Sequence, residues 1–157
     1  RILGIDPGTG ILGFGVIDVD TTGALQLVDA GVIRTPVKEQ DAIRLLTIYD
    51  ELKEIIEQHK PEVMSVEKLF FARNVTTAMT VSQARGVVLL LGQQYKMGLY
   101  EFTPMQIKQA LTGYGKADKK QIQEMVRVIL KLKEIPKPDD AADALAAAIT
   151  CSMTFRG

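Results

Sequence analysis

Four acidic side chains stand at positions of the sequence where burying a charge is costly. Asp6 ends an apolar segment in the stretch GIDPGTG, and Glu67 ends another shortly before LFF. Asp140 and Asp143 are three residues apart at the start of an alanine-rich segment, so a helix there would place both on one face. Carboxylates in such positions could bind a metal ion or take part in phosphate chemistry.

Each acid also has a simpler explanation when it is considered alone. Asp6 could hydrogen-bond the backbone of a Pro-Gly turn, and Glu67 could be solvated at a strand end. If the acids converge, however, two carboxylates about 4 Å apart repel by about 4 kcal/mol even at an effective dielectric constant near ~20. Four of them therefore need a divalent cation or shared protons. Hard oxygen ligands without a nearby His or Cys pair favour Mg²⁺ or Mn²⁺, which suits two-metal hydrolysis of a phosphodiester.

Two further titratable residues have structural explanations that we prefer. Asp139 shares a helical face with Asp143 at four-residue spacing, but it follows Pro138 and is predicted to be the N-cap of the helix. His59 is the single histidine and ends a helical stripe of apolar residues. A basic group is favoured at the carboxyl end of a helix, so we interpret His59 as a helix-terminal residue and not as a catalytic base.

The length and composition predict one domain over residues 1–157, with 46% hydrophobic residues. We expect no membrane segment, because no apolar run approaches the roughly 20 residues needed to span a bilayer. The amino terminus does not read as a secretion signal. Cys151 is the single cysteine and cannot form an internal disulfide or a zinc site alone, which favours a cytoplasmic location.

The charges of the chain are unevenly distributed although the net charge is zero. Residues 1–67 contain six Lys or Arg and twelve Asp or Glu, whereas residues 68–133 contain eleven and three. A basic middle between acidic ends indicates a face that binds a polyanion. An ordinary solvated helix surface explains the same distribution and stays open at this point.

The order of apolar patterns predicts an α/β fold with a mixed β-sheet flanked by helices. Two β-rich runs around a glycine-dense turn and a third run at about 25–32 predict an antiparallel meander. A helix at 42–58, a strand at 62–70, a long helix at 76–97, a short strand ending at Pro104 and three more helices follow. The helix at 76–97 is apolar over more than one narrow stripe, so it is either central to the core or part of a dimer interface.

Five segments together resemble the RuvC family of bacterial Holliday-junction resolvases, which have an RNase H-like fold. They are GIDPGTGILGFGVI, VEKLFFARN, SQARGVVL, QIKQALTGYGKADKKQIQEMV and DDAADALAAAIT, and the resemblance extends over about 2–150. It implies that the catalytic, metal-binding acids are Asp6, Glu67, Asp140 and Asp143, and the DAADAL string selects Asp140 over Asp139.

The resemblance also implies the activity and the partners. Family members cut two opposed strands of a four-way DNA junction symmetrically as homodimers, in homologous recombination and DNA repair. They use Mg²⁺ or Mn²⁺, which implies two ions per active site here. A partnership with the RuvA–RuvB branch-migration complex is implied as well.

Contacts with DNA are expected from basic, aromatic and amide side chains: Phe70, Phe71, Arg73, Asn74, Lys108, Lys116, Lys119 and Lys120. Lys108 and Lys119 match lysines that the family uses near the scissile phosphate, where such contacts raise affinity without reading sequence. Phe70 matches an aromatic residue that reaches a base, and stacking of this kind is worth ~1–3 kcal/mol.

Three other classes of protein share parts of this pattern. A nucleotide-binding domain of the actin, Hsp70 and sugar-kinase type also opens with a strand, an Asp and a Gly-rich turn, but it needs a second, related lobe. The smaller YqgF-like nucleases share the fold, whereas the strings VEKLFFARN and DDAADAL favour RuvC. A DNA-binding module without catalysis would gain nothing from a buried cluster of acids.

Overall fold

In the part of the chain that the structure describes, the apolar patterns fold into one mixed sheet and five helices. The computed structural model describes residues 1–8, 10–36, 38–68 and 75–155. The strands are β1 (Ile2–Asp6), β2 (Ile11–Val19), β3 (Leu25–Arg34), β4 (Val63–Glu67) and β5 (Gly98–Phe102). The helices are α1 (Asp41–His59), α2 (Val75–Gln94), α3 (Pro104–Thr112), α4 (Lys119–Ile129) and α5 (Asp139–Thr154).

The strands are arranged in the order β3-β2-β1-β4-β5. β1, β2 and β3 pair antiparallel, whereas β4 pairs parallel with both β1 and β5. The predicted meander and the predicted mixed sheet are therefore confirmed. The strand predicted at 62–70 ends earlier, at Glu67, and its last two residues lie outside the described part of the chain.

Each face of the sheet is covered by its own set of helices. Leu3 and Ile5 of β1 point toward α1 and α2, together with Met64 and Val66 of β4. The alternate residues of the same strands, beginning with Ile2, face α5 and the neighbouring α3 and α4. Because side chains alternate along a strand, the last residues of β1 and β4 point to the face that α5 covers.

Helix α5 lies directly against the backbone of β1 and β2. A Cβ atom on Gly4 would lie 2.0 Å from the carbonyl oxygen of Ala144, and one on Gly13 would lie 2.0 Å from that of Asp140. The Ser65 hydroxyl of β4 donates a hydrogen bond of 2.7 Å to the carbonyl of Ala147. At Gly4, Gly13 and Ser65 the sheet therefore contacts the backbone of α5 directly.

Helix α2 is more apolar than the sequence-based expectation allowed. This helix of 20 residues contains an 18-residue stretch with a mean hydropathy of 1.2, which meets the length and composition of a membrane span and corrects the expectation that no segment comes close. One face is buried, with Ala84, Val88 and Leu91 in the core beside α1. Core helices of ordinary domains have the same length and composition, so this finding by itself assigns no membrane.

The two residues with structural explanations have different outcomes. The N-cap of α5 is Pro138 and not Asp139, because the proline ring supports the extended backbone of a cap and the helix starts directly after it. Asp139 is the first helical residue, and its side chain is free to reach another element. His59 is in the last turn of α1 as predicted, and its Nε2 lies 2.8 Å from Oδ2 of Asp29 on β3.

Candidate active site

The ends of β1 and β4 bring two of the predicted acids together. The two strands are parallel neighbours, so their carboxyl ends lie at the same edge of the sheet. Asp6 is the last residue of β1 and Glu67 is the last residue of β4, and their side chains are hydrogen-bonded to each other. Asp6 is buried, with 9% of its surface exposed. Two residues that are 61 positions apart in the chain thus form a pair of carboxyl groups that can share one proton.

The other two acids reach this edge on α5. Gly13 of β2 pairs with Asp6 across the β1–β2 ladder. The side of Gly13 where a Cβ atom would lie faces the backbone of Asp140. The close approach at Gly13 therefore places the first turn of α5 beside Asp6. Asp143 follows on the same helix, and the charges of both α5 acids act on the Asp6 carboxyl. The other three predicted acids thus lie close enough for their charges to act on Asp6.

Burial and crowding raise the pKa values of these acids. Burial contributes most for Asp6, and with the charges of Glu67, Asp143 and Asp140 it raises the Asp6 pKa to about 10. Burial also raises the pKa of Glu67, although the hydrogen bond from Asp6 opposes the increase. Burial raises the pKa of Asp143 as well, against the opposing charge of Lys119. Asp6 therefore holds a proton shared with Glu67 at neutral pH unless a cation offsets the crowding.

A cleft of about 280 Å³ opens beside the acids, between α3, α4 and α5. It is lined by Glu67, Pro104, Ile107, Lys108, Ala117, Asp118, Lys119, Ile122, Asp143 and Ala146. Two of the predicted acids and two of the predicted lysines thus share one cavity. The sequence-based placement of Lys108 and Lys119 next to the acids agrees with this geometry.

Helix caps fix the positions of these lysines. Asp118 is the N-cap of α4: its side chain accepts a 2.8 Å hydrogen bond from the Gln121 amide, and the Gln121 side chain accepts one from the Asp118 amide. Lys119 is the next residue. Thr103 and Gln106 form the same reciprocal cap at the start of α3, the helix that carries Lys108.

The Lys119 ammonium contacts carboxylates of α5. Its Nζ lies 3.4 Å from Oδ2 of Asp139 and 3.7 Å from Oδ2 of Asp143. Partial burial lowers the pKa of Lys119, but the charges of the two aspartates outweigh it and raise the pKa above its ordinary value. Asp139 was predicted to be a helix cap, so its contact with Lys119 was missed. Its four-residue spacing from Asp143 was the signal in the sequence.

Of the other residues predicted to contact DNA, two lie next to the cleft and four lie outside the residues that the structure describes. Lys116 and Lys120 are exposed, on the connection before α4 and in its first turn, next to the cleft but not lining it. Phe70, Phe71, Arg73 and Asn74 lie outside the described residues.

The predicted metal ligands are not grouped as a metal site in the structure. Within residues 1–8, 10–36, 38–68 and 75–155, no three His, Cys, Asp or Glu side chains are grouped so that they could hold a metal ion. The converging side chains are all carboxylates, the donor type that Mg²⁺ and Mn²⁺ prefer. A bound ion would therefore need further oxygen ligands.

A mixed sheet of this order, flanked by helices and with acids at the ends of its central strands, defines an RNase H-like protein. Residues 2–151 match the family described as Crossover junction endodeoxyribonuclease RuvC. The chain belongs to this family, and it is an endodeoxyribonuclease. This family match excludes the nucleotide-binding and YqgF-like alternatives.

Curated relatives and solved structures agree with the assignment. The relatives named Crossover junction endodeoxyribonuclease RuvC include one from Roseiflexus sp. (strain RS-1), 56% identical over 95% of this chain and 88% of the relative. One from Brevibacillus brevis is 55% identical over 96% and 90%. The Thermus thermophilus RuvC structure has a TM-score of 0.91 at 39% identity, covering 99% of this chain and 95% of that one. T. thermophilus RuvC in complex with Holliday junction substrate has a TM-score of 0.93 at 39% identity, covering 99% and 94%.

Proposed function

We propose that this chain resolves four-way DNA junctions by hydrolysing phosphodiester bonds at the site formed by Asp6, Glu67, Asp140 and Asp143. The observation that carries the proposal is the meeting of these acids, from three separate segments, beside a cleft lined by Lys108 and Lys119. Acids alone would repel DNA, and lysines alone would only bind it. Their combination at one edge of the sheet suits cutting of a polyanion.

The donor set fits divalent metal ions, and metal dependence is a property of this family of nucleases. We assign the four carboxylates as ligands of Mg²⁺ or Mn²⁺, with two ions per site. Such ions, when bound, activate a water molecule and stabilise the leaving oxygen. Mg²⁺ keeps several waters and takes substrate phosphate oxygens as ligands, so the protein need not supply every ligand.

The protein's own groups position the DNA backbone. Lys108 and Lys119 face the cleft from α3 and α4, where their ammonium groups can contact the phosphates beside the scissile bond. Lys116 and Lys120 extend the basic surface that would follow the DNA strand. We assign Phe70 to a base contact, Phe71 to the same DNA interface, and Arg73 and Asn74 to backbone contacts, since all four lie shortly after Glu67 in the chain.

Symmetric cutting of two opposed strands requires two sites in one assembly. We therefore propose a homodimer in which residues 1–157 form one nuclease domain per subunit. Helix α2 is our candidate interface, because Val75, Met79 and Leu90 are exposed by 73%, 60% and 52%. We also propose a cytoplasmic enzyme, active in recombination and repair, that works with the RuvA–RuvB complex and not at a membrane.

A cleavage assay with labelled substrates tests the function. The protein is incubated with a four-way junction, with linear duplex of the same sequence and with ATP, each with and without Mg²⁺. Paired nicks in the junction alone, and only with Mg²⁺, are the expected result. Cutting of the duplex at the same rate, or ATP hydrolysis without DNA cutting, would contradict the proposal.

Asp6→Asn tests the site within the same assay. The substitution should lower the cutting rate by ~10³-fold or more, because several kcal/mol of metal-dependent stabilisation depend on this carboxylate. Junction binding in metal-free buffer should remain. Asp50→Asn, at an exposed position of α1, is the matched control and should cut like the native protein. Cutting by Asp6→Asn at the native rate would remove Asp6 from the mechanism.

A further inference from the structure

Lys119 has two carboxylate partners with different surroundings. The Asp143 side chain is 27% exposed and sits inside the cleft, whereas the Asp139 side chain is 61% exposed at its rim. Asp139 is nevertheless the closer partner, at 3.4 Å against 3.7 Å. The ammonium therefore bridges a residue assigned to the metal and a residue that has no assigned role.

The position of Lys119 does not serve its own helix. Lys119 is the first residue of α4, where the positive end of the helix dipole disfavours a cation. The cap of α4 is complete without it, since Asp118 and Gln121 satisfy each other's backbone amides. Its ammonium is held at this place by the carboxylates of α5 and not by anything in α4.

These contacts assign Asp139 a role in the reaction. Under the proposed function, on which this inference rests, Asp143 binds a divalent cation, and its charge is then no longer available to Lys119. Asp139 remains. We propose that Asp139 is a positioning residue that keeps the Lys119 ammonium in the cleft while the DNA is cut.

A purely structural role for Asp139 makes different predictions. An acid in the first turn of α5 stabilises that helix through its dipole, whatever residue occupies position 119. Its removal would lower the midpoint of thermal unfolding, and its effect on cutting would be the same with or without the lysine. A positioning role requires the effect on cutting to depend on Lys119.

A double-mutant cycle separates the two roles. Single-turnover cutting of a junction is measured at saturating enzyme for the native protein, Asp139→Asn, Lys119→Ala and the double variant. Asp139→Asn should slow cutting about two- to fivefold, the range expected for an exposed ion pair. In the Lys119→Ala background the same change should have no effect. Asp139→Glu should recover most of the native rate, and Asp50→Asn serves as the control for loss of one negative charge.

A spectroscopic measurement follows the contact without relying on turnover. Lysines are dimethylated with a ¹³C label, which keeps their charge, and the Lys119 resonance is assigned by its absence in Lys119→Arg. When Mg²⁺ is added without DNA, the native resonance should keep the shift of a paired ammonium. In Asp139→Asn it should move to the shift of the solvated lysines on adding Mg²⁺.

Two results would overturn the proposal. One is equal slowing by Asp139→Asn with and without Lys119, and the other is a native rate in Asp139→Asn together with an unchanged Lys119 resonance. If the native protein itself fails to cut a junction in Mg²⁺, the proposed function is what falls. The same cutting assay thus distinguishes the two failures.

Discussion

The two faces of the central sheet are built from different kinds of contact. Toward α1 and α2, large aliphatic side chains meet from both sides, such as Leu3 and Met64 on the strands and Leu52 on α1. Toward α5, the strand residues Gly4 and Gly13 lie against backbone atoms of the helix, beside large apolar side chains such as Leu145. Large side chains can change rotamer to absorb a change in volume, whereas a backbone atom can move only with its whole element.

This difference matters because all four acids depend on the second face, to which Glu67 at the end of β4 also points. Asp140 and Asp143 are carried by α5, and Asp6 extends from the same side of β1. The distance between the helix and the sheet therefore sets the distances between the carboxylates. The face toward α1 and α2 supplies much of the buried apolar area, and the face toward α5 sets the geometry of the site.

Among substitutions at the packed faces of the sheet, Gly13→Ala should have the largest effect, because it adds a methyl group where α5 packs closely against β2, beside the acids. The added Cβ would lie 2.0 Å from the Asp140 carbonyl, so α5 must move. We expect a loss of about 3 kcal/mol or more in the free energy of unfolding, as for severe overpacking. We also expect cutting to fall at least ~10-fold in the protein that remains folded, since small misplacements of reacting groups are costly. Denaturant unfolding and junction cutting at low temperature measure the two effects.

Leu52→Ala tests the opposite face. Leu52 is fully buried on α1, and its truncation should cost about 2–5 kcal/mol in the free energy of unfolding. Because its contacts lie away from the acids, cutting by the folded fraction should stay within about twofold of the native rate, as additivity of distant sites implies. A variant that loses as much activity as Gly13→Ala at equal stability would show that the two faces do not differ in this way.

Local patterns in the sequence predicted the sheet and the positions of candidate acids at the ends of elements, whereas the choice of Asp140 over Asp139 came from the family resemblance. An apolar segment ending in a carboxylate places an acid at a strand end, and Asp6 and Glu67 are both of this kind. The three-residue spacing of Asp140 and Asp143 puts both on one side of a helix. These are local patterns, so they can be read without knowledge of the tertiary structure.

What the sequence did not predict depends on contacts between distant segments. The close approach of Gly13 to Asp140 joins residues 127 positions apart, and a glycine in a strand does not reveal what lies above it. The contact of Asp139 with Lys119 was missed for the same reason, since proximity to Pro138 pointed to a cap. The length of α2 was apparent, but its buried face follows only from packing against α1.

Asp6→Asn should stabilise the metal-free protein, although it stops cutting. The pKa of Asp6 is raised from 3.8 to about 10, so the native state keeps a proton that the unfolded state releases. This contribution to stability is full below pH about 4 and is lost as the pH rises toward 10. At pH 7 the substitution should raise the free energy of unfolding by ~0.5–2 kcal/mol, a typical gain when a strained functional site is relieved.

The pH dependence provides the control for this change. In a chelating buffer, the stability of the native protein should decrease between pH 5 and 9, a window inside the interval from 3.8 to about 10, and that slope should be smaller in Asp6→Asn. Stability that rises with pH over this window in the native protein would contradict the raised pKa. Added Mg²⁺ should stabilise the native protein more than the variant, since it binds the folded state.

Gly86→Ala should have the smallest effect, and it provides a reference position where an added methyl group meets no neighbour. Gly86 lies in the interior of α2, and a Cβ there would meet nothing within 4 Å. Alanine should therefore raise the free energy of unfolding by about 0.5–1 kcal/mol through helix propensity alone, with no change in cutting. The measurement is made over a range of protein concentrations, because the stability of a dimer depends on concentration. A loss of stability that is present at high protein concentration and disappears on dilution would mean that a second subunit covers Gly86, and this turn of α2 would then lie inside the proposed interface.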